Sequence, residues 1–313
     1  MFDTMKNDNE LISIAMATYN GEKYLSEQLD SLLCQTHRNI EIVIADDCSK
    51  DSTVAIIEQY QQENKNIRLL QNEFNSGIAK TFEKAILACK GNYIALSDQD
   101  DIWFHNKLEI LVDNIGDNLL IHSDAVLVDE KLQVIAKSHF EHVKDASKTS
   151  FLDYLWSNNM HGCTAMFNRR LIDLSFPIPD GFYVHDHYIA ICAAYYGSIK
   201  LHLEPLIYYR QHQTNSTGAN KKSYFAFLDY CKKLSDSYTA LLTKNDFRNN
   251  TSIKLLRDYR MGLCKGTWQG EYSKFKLLSL KNGWKHLIFY FLMKYTRRTN
   301  ISIKIYNVIR TYY

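Results

Sequence analysis

The sequence predicts an α/β protein with a mostly parallel central sheet flanked by helices and a helical extension at its C-terminal end. Three observations carry this. Near-continuous apolar runs alternate with amphipathic stretches over the first hundred residues, the pattern of strands buried on both faces. Polar or acidic residues close those runs, where parallel sheets place their ligands. Residues 221–313 are helical in pattern and hold 19 Lys/Arg against 5 Asp/Glu, whereas the remainder holds 18 against 30.

Leu11–Thr18 (LISIAMAT) reads as the first strand and Tyr19-Asn20-Gly21 as a turn. Leu25, Leu29, Leu32 and Leu33 share a helical face. Ile40–Ala45 is a second strand ending in Asp46-Asp47, and Val54, Ile57 and Tyr60 mark a second helix. Ile67–Leu70 is a third strand; Asn75-Ser76-Gly77 turns the chain into a helix through Ile78, Phe82, Ala85 and Ile86. The fourth strand lies in GNYIALSDQDDIW, Gly91–Trp103. A helix to about Asp117 follows, then a strand at Leu119–Val128 that turns at Asp129-Glu130-Lys131 to pair with Val134–Ala136. Gly162–Phe167 and Leu201–Tyr209 read as strands, and Tyr188–Tyr196 as an apolar helix. The division expected is a catalytic domain over 1–220 and a basic, mainly helical region over 221–313.

An apolar fraction of 46%, a charged fraction of 23% and a net charge of +2 describe an ordinary globular chain. Seven cysteines with no CxxC are expected to be reduced, packed thiols. The polar, acidic start is not a signal peptide, and the longest strongly apolar run, Leu287–Met293, is too short to span a bilayer. These features lead to a cytoplasmic location.

Asp98, Asp100 and Asp101 raise a question of charge, because carboxylates so close repel unless something positive lies among them. A divalent cation, Mg²⁺ or Mn²⁺, is one answer, bridging carboxylates to a substrate diphosphate. Asp98 and Asp100 share one side of a strand end; Asp101 points elsewhere and caps the following helix. The competing account has all three acids complementing that helix's dipole. Neither GxxxxGK[ST] nor a GxGxxG after the first strand occurs, so a glycine-rich phosphate loop is excluded.

The stretch ISIAMATYNGEKYLSEQLDSLLCQTHRNIEIVIADDCSKDST resembles the opening of family 2 glycosyltransferases of the GT-A fold, and GNYIALSDQDDIW resembles their metal-binding strand end. YRQHQTNSTG (209–218) is similar to bacterial O-antigen and capsule members, notably rhamnosyltransferases. The resemblance covers about residues 10–218. It implies that Ala17, Thr18 and Tyr19 line the nucleotide base, that Asp47 accepts the base N3–H with Asp46 supporting it or the ribose, and that Gly77 and Lys80 approach the nucleotide. It implies Asp98 at the ribose or metal shell, Asp100 as metal ligand, and His212 completing the metal or diphosphate site. Asp186 becomes the base of an inverting transfer; where the family usually has Glu-Asp, this chain has His185-Asp186. A zinc site from His185-Asp186-His187 is the alternative there. Trp103 is a stacking surface for sugar or a core residue, and His161, Gly162, Cys163 and His185 fall beside the acceptor.

The partners implied are a nucleotide-diphosphate sugar, such as dTDP-rhamnose or a UDP-hexose, and a lipid-linked oligosaccharide. In Gly283–Arg298 an apolar helical face is ringed by Lys285, Lys294, Arg297 and Arg298, which suits an anionic membrane surface on the inner side of the cell membrane. Helical packing on the catalytic domain is the alternative for this segment. No nucleic-acid recognition motif is present. A non-catalytic nucleotide-sugar-binding protein is the competing class, and the intact Asp47, Asp98, Asp100 and Asp186 argue against it.

Overall fold

The structure, a computed structural model, describes residues 10–143, 149–158, 160–212 and 224–265. The strands are β1 (Ile12–Thr18), β2 (Ile40–Asp46), β3 (Ile67–Gln71), β4 (Tyr93–Ser97), β5 (Ile102–Trp103), β6 (Leu120–Val128), β7 (Val134–Ala136), β8 (Ala165–Asn168) and β9 (Ile199–Arg210). The helices are α1 (Leu25–Leu33), α2 (Thr53–Glu63), α3 (Ile78–Ala88), α4 (Lys107–Ile115), α5 (His139–Val143), α6 (Phe151–Trp156), α7 (Arg170–Ser175), α8 (His185–Tyr196), α9 (Tyr224–Leu241) and α10 (Thr251–Lys265).

The sheet order is β3-β2-β1-β4-β8-β6-β9-β5, with β7 hairpinned onto β6. From β3 to β4 all pairings are parallel. Beyond β4 the sheet is mixed, so the expectation of a mostly parallel sheet holds for one half of it. The reversal sets the site. β8 runs antiparallel to β4, Ala95 opposite Met166, so the 3-10 turn Gly162–Thr164 before it lies at the carboxyl end of β4. β5 pairs antiparallel with the last residues of β9, Ile102 opposite Tyr208, which returns Arg210 and His212 to the same rim.

Ile12, Ile14 and Met16 of β1 and Ile42 and Ile44 of β2 are fully buried against Leu25, Leu29 and Leu32 of α1. Burying such side chains contributes roughly 1.5–3 kcal/mol each. On α3 the buried face is Thr81, Phe82, Ala85 and Ile86.

The chain divides into two compact units, residues 1–178 with 184–215, and residues 179–183 with 216–313. In the second unit α9 and α10 bury Cys231, Leu234, Tyr238, Leu241, Ile253 and Leu256. Tyr183 N donates to Ser237 Oγ at 2.9 Å there. No helix among the described residues is long and apolar enough to cross a membrane, and the basic segment 283–298 lies outside them.

Candidate active site

The ends of β1 and β2 form a rigid loop pair. Asp46 accepts from Thr18 Oγ1 at 2.9 Å, Ser49 N at 2.9 Å and Ser49 Oγ. Asp47 accepts from Asn72 Nδ2 at 2.8 Å, Ser76 N at 2.7 Å and Gly77 N at 2.9 Å. Both are buried, and both oxygens of each are engaged. Asp47 thus anchors the loop leading into α3 as well as facing the rim. Gly77 has φ +83°, and a Cβ there would meet no atom within 4 Å, so torsion rather than space calls for glycine. Tyr19 is 48% exposed beside half-buried Ala17. Gln99 clamps that end to the acidic loop: Tyr19 N donates to its Oε1 at 2.9 Å, and its Nε2 donates to Tyr19 O at 3.1 Å. Lys80 bonds to Glu83 and to the Ile178 carbonyl, both at 2.9 Å; it ties α3 to the residues before α8.

Around the end of β4 the arrangement differs from the expected one. Asp98, Asp101 and Cys163 each offer a ligand atom, all within 4.8 Å of one another. Asp100 instead pairs with His212, Nε2 to Oδ2 at 2.7 Å. Asp101 does not point away: it is fully buried, because β5 turns inward to pair with β9. Its Oδ1 accepts from Arg210 N at 3.0 Å, and its Oδ2 has no hydrogen-bond partner among the described residues. Burial first, then the neighbouring carboxylates, raise the Asp98 carboxyl well above its usual range. Burial and Asp100 push Asp101 up to about 7. An orphaned, buried carboxylate oxygen beside a second carboxylate fits a divalent cation.

Two cations underlie these acids, Arg210 and Lys107. Arg210, at the end of β9, is buried. Its Nε donates to the Asp100 carbonyl at 2.8 Å, one terminal nitrogen donates to the Glu130 carbonyl at 3.0 Å, and the other pairs with Glu27. Its guanidinium lies 4.4 Å from the Tyr24 ring centroid. Lys107, the first residue of α4, is also fully buried. It bonds to the Cys163 carbonyl and sits 3.4 Å over the Trp103 ring centroid. Burial lowers its pKa to about 7. Of the two readings of Trp103, the structure has the core one: it is 3% exposed and that ammonium lies over its ring.

Asp186 lies in the first turn of α8. Its carboxylate accepts from Asn158 Nδ2 at 3.1 Å, Gly162 N at 3.2 Å and His187 N at 2.6 Å. Burial nevertheless pushes it up to about 6, and its charge acts on Asp98 across the rim. A Cβ on Gly162 would come within 3.1 Å of His185 Nε2 and 3.3 Å of Asp186 Cβ, so a side chain in this turn would press on the start of α8. His185 stacks on Phe82, centroids 3.6 Å apart, with neither ring nitrogen bonded; burial lowers it to about 3 and keeps it neutral. His187 bonds through Nε2 to the Tyr154 carbonyl at 2.6 Å. The His-Asp-His zinc alternative thus does not assemble. His161 stacks on Tyr209 and meets His139, Nε2 to Nε2 at 3.0 Å. Cys163 is buried, and burial raises its thiol well above the usual range, so it is no nucleophile.

Asp98, Asp100, Asp101, Cys163, Gly162 and Asp186 thus come to one rim with His212. The signals that could have found the missing members were weak. Arg210 stands two residues before His212, and Lys107 falls on the expected helix.

Residues 13–175 match glycosyl transferase family 2. Among similar proteins, the dTDP-rhamnosyl transferase RfbG of Shigella flexneri is 31% identical over 66% of this chain and 74% of its own. The UDP-Glc:alpha-D-GlcNAc-diphosphoundecaprenol beta-1,3-glucosyltransferase WfgD of Escherichia coli is 30% identical over 58% of this chain and 69% of its own. The mannosyltransferase PcManGT of Pyrobaculum calidifontis, solved with GDP-Man and Mn²⁺, superposes with a TM-score of 0.55 at 16% identity, over 88% of this chain and 75% of that one. The family match takes in more than half the chain, from the first strand through the acids to the turn that holds Asp186. The chain belongs to glycosyl transferase family 2 and is a glycosyltransferase with the GT-A fold.

Proposed function

We propose that this protein is an inverting, metal-dependent glycosyltransferase. It moves a sugar from a nucleotide-diphosphate donor, dTDP-rhamnose in the first instance, to a lipid-linked glycan in cell-surface polysaccharide synthesis. The observation that carries the reading is Asp186. It is a carboxylate lifted to about 6 by burial, held by Gly162 N–H and Asn158, on the rim that also holds Asp98 and Asp101. The name of RfbG supports a dTDP-rhamnose donor, and that of WfgD an acceptor carried on diphosphoundecaprenol.

In this reading Asp186 takes the proton of the acceptor hydroxyl as that oxygen bonds to C1 of the donor sugar. The C1–O bond to the diphosphate breaks, and the nucleoside diphosphate leaves with the electron pair. Asn158 and the Gly162 amide fix which carboxylate oxygen faces the hydroxyl. Asp98 and Asp101 would hold the divalent cation, with Asp100 positioned by His212. A cation bound there supplies charge neutralisation for the leaving diphosphate. Ala17, Thr18, Tyr19 and the loop fixed by Asp46, Asp47 and Gly77 receive the nucleotide. The basic C-terminal segment meets an anionic membrane surface, as its charge supports.

The test is sugar transfer to a polyprenyl-diphosphate-linked acceptor, with dTDP-rhamnose and UDP-glucose offered side by side and Mn²⁺ present or chelated. Transfer from dTDP-rhamnose that needs Mn²⁺ and disappears in Asp186→Asn is the expected result. Transfer from UDP-glucose alone would move the donor assignment to a UDP-hexose; full transfer by Asp186→Asn would overturn the base assignment.

A further inference from the structure

The acidic rim contains a buried lysine whose place the metal reading leaves unexplained. Arg210 is already neutralised: its guanidinium pairs with Glu27 and bonds to two backbone carbonyls. Lys107 is different. It is fully buried, its hydrogen bond goes to the neutral Cys163 carbonyl, and its ammonium rests on the Trp103 face. Burying a cation without a contact ion pair is costly. Its charge is favoured by Cys163 first and then by Asp101 and Asp98, the two carboxylates that would hold a divalent cation.

The bond to Cys163 has a second consequence. Cys163 lies in the 3-10 turn Gly162–Thr164, and the Gly162 amide is a ligand of the Asp186 carboxylate. Lys107 Nζ thus joins the start of α4, directly after the acidic loop, to the turn that orients the base. A neutral residue could fill this space. A lysine there opposes positive charge at Asp98 and Asp101.

We propose that Lys107 is a positioning residue that holds the base-bearing turn and, from the same place, weakens divalent-cation binding at Asp98 and Asp101. The inference rests on the metal-dependent reading above. Its two parts have opposite signs, which distinguishes them from a merely structural role. Removing the charge tightens the metal, whereas removing the hydrogen bond slows transfer. Loss of packing alone would weaken both.

The experiment titrates Mn²⁺ alone into the full chain saturated with dTDP and, in a second series, with UDP, followed by calorimetry, for wild type, Lys107→Met and Lys107→Gln. Both variants lack the charge; only Gln keeps an amide donor for the Cys163 carbonyl. Mn²⁺ affinity is expected to rise at least about threefold in both, because removing a nearby positive charge relieves Coulomb repulsion. With transfer measured at saturating Mn²⁺, kcat is expected to fall at least tenfold in Lys107→Met with donor KM little changed, and less in Lys107→Gln. Should Lys107→Met fail to fold, the Lys107→Gln titration decides the charge effect. Wild type that binds Mn²⁺ while both variants bind it equally or more weakly overturns the inference and leaves the metal reading standing. Wild type that binds no Mn²⁺ in the presence of either dTDP or UDP overturns the metal reading, and this inference with it.

Discussion

At the end of β2, Asp46 and Asp47 have both oxygens of each carboxylate engaged by neighbouring hydroxyls, amides and backbone N–H groups. At the end of β4, Asp98 and Asp101 crowd against each other, their carboxyls are pushed up by burial, and Asp101 keeps an oxygen without a partner. The two sites share a sheet edge and a residue type; Asp46, Asp47 and Asp101 are buried and Asp98 is half-buried. One is satisfied from within the chain and shapes a loop. The other is left short of positive charge, which suits a group that arrives with substrate. The number of buried acids is therefore a poor guide to where chemistry occurs; the deficit of partners is the better one.

The sharpest way to break this comparison is to remove the groups on the deficient side. Asp186→Asn, which keeps shape but cannot take a proton, is expected to lower kcat by about 10²–10⁴ while the melting temperature stays close to that of wild type. For the intact enzyme, Asp186 acts as base only when deprotonated, so kcat/KM should fall about tenfold per pH unit below pH 6 and level off above it. An acidic limb that stays in place in Asp186→Glu and lies below pH 4 would assign the titration elsewhere.

Asp98→Asn sharpens the contrast. Mn²⁺ binding and transfer should be lost, yet thermal stability should hold or rise, because a buried like-charge repulsion is relieved. A melting point several degrees lower would show that Asp98 is structural. On the satisfied side the sign reverses. Asp47→Ala strands the Asn72 amide and two backbone N–H groups and should cost about 3 kcal/mol in denaturant unfolding. The smallest effect expected is that of Gly77→Ala, where φ +83° alone opposes a side chain. It should cost about 1–2 kcal/mol, with weaker dTDP binding.

Much of this was legible in the sequence. The alternation of apolar runs with amphipathic stretches gave the first four strands and three helices, because strands buried on both faces leave a continuous apolar signal. Acids at strand ends marked the rim. The side chains' destinations were less legible. The period-two rule sent Asp101 outward, but the chain leaves β4 after Ser97, so Asp100 and Asp101 obey a loop and the β5–β9 pairing instead. Trp103 looked like a sugar platform because aromatics serve both uses, and only packing against Lys107 decides between them. In the mixed half of the sheet the β8 segment is too short to carry a period, so the adjacency of Gly162 and Asp186 could be supplied only by resemblance.

Arg210 reaches back across 110 positions to bond with the Asp100 carbonyl, and its N–H holds Asp101. A ribosome makes the acids first. Until β9 has emerged and docked beside β6 and β5, the acidic loop lacks the guanidinium and the backbone donor that set its shape. Contacts so distant in sequence form late, and chains are made from the N-terminal end. The nascent first half can therefore fold around its parallel strands while the acidic end of the rim stays unfinished, so the rim is completed only after the chain has been made through β9.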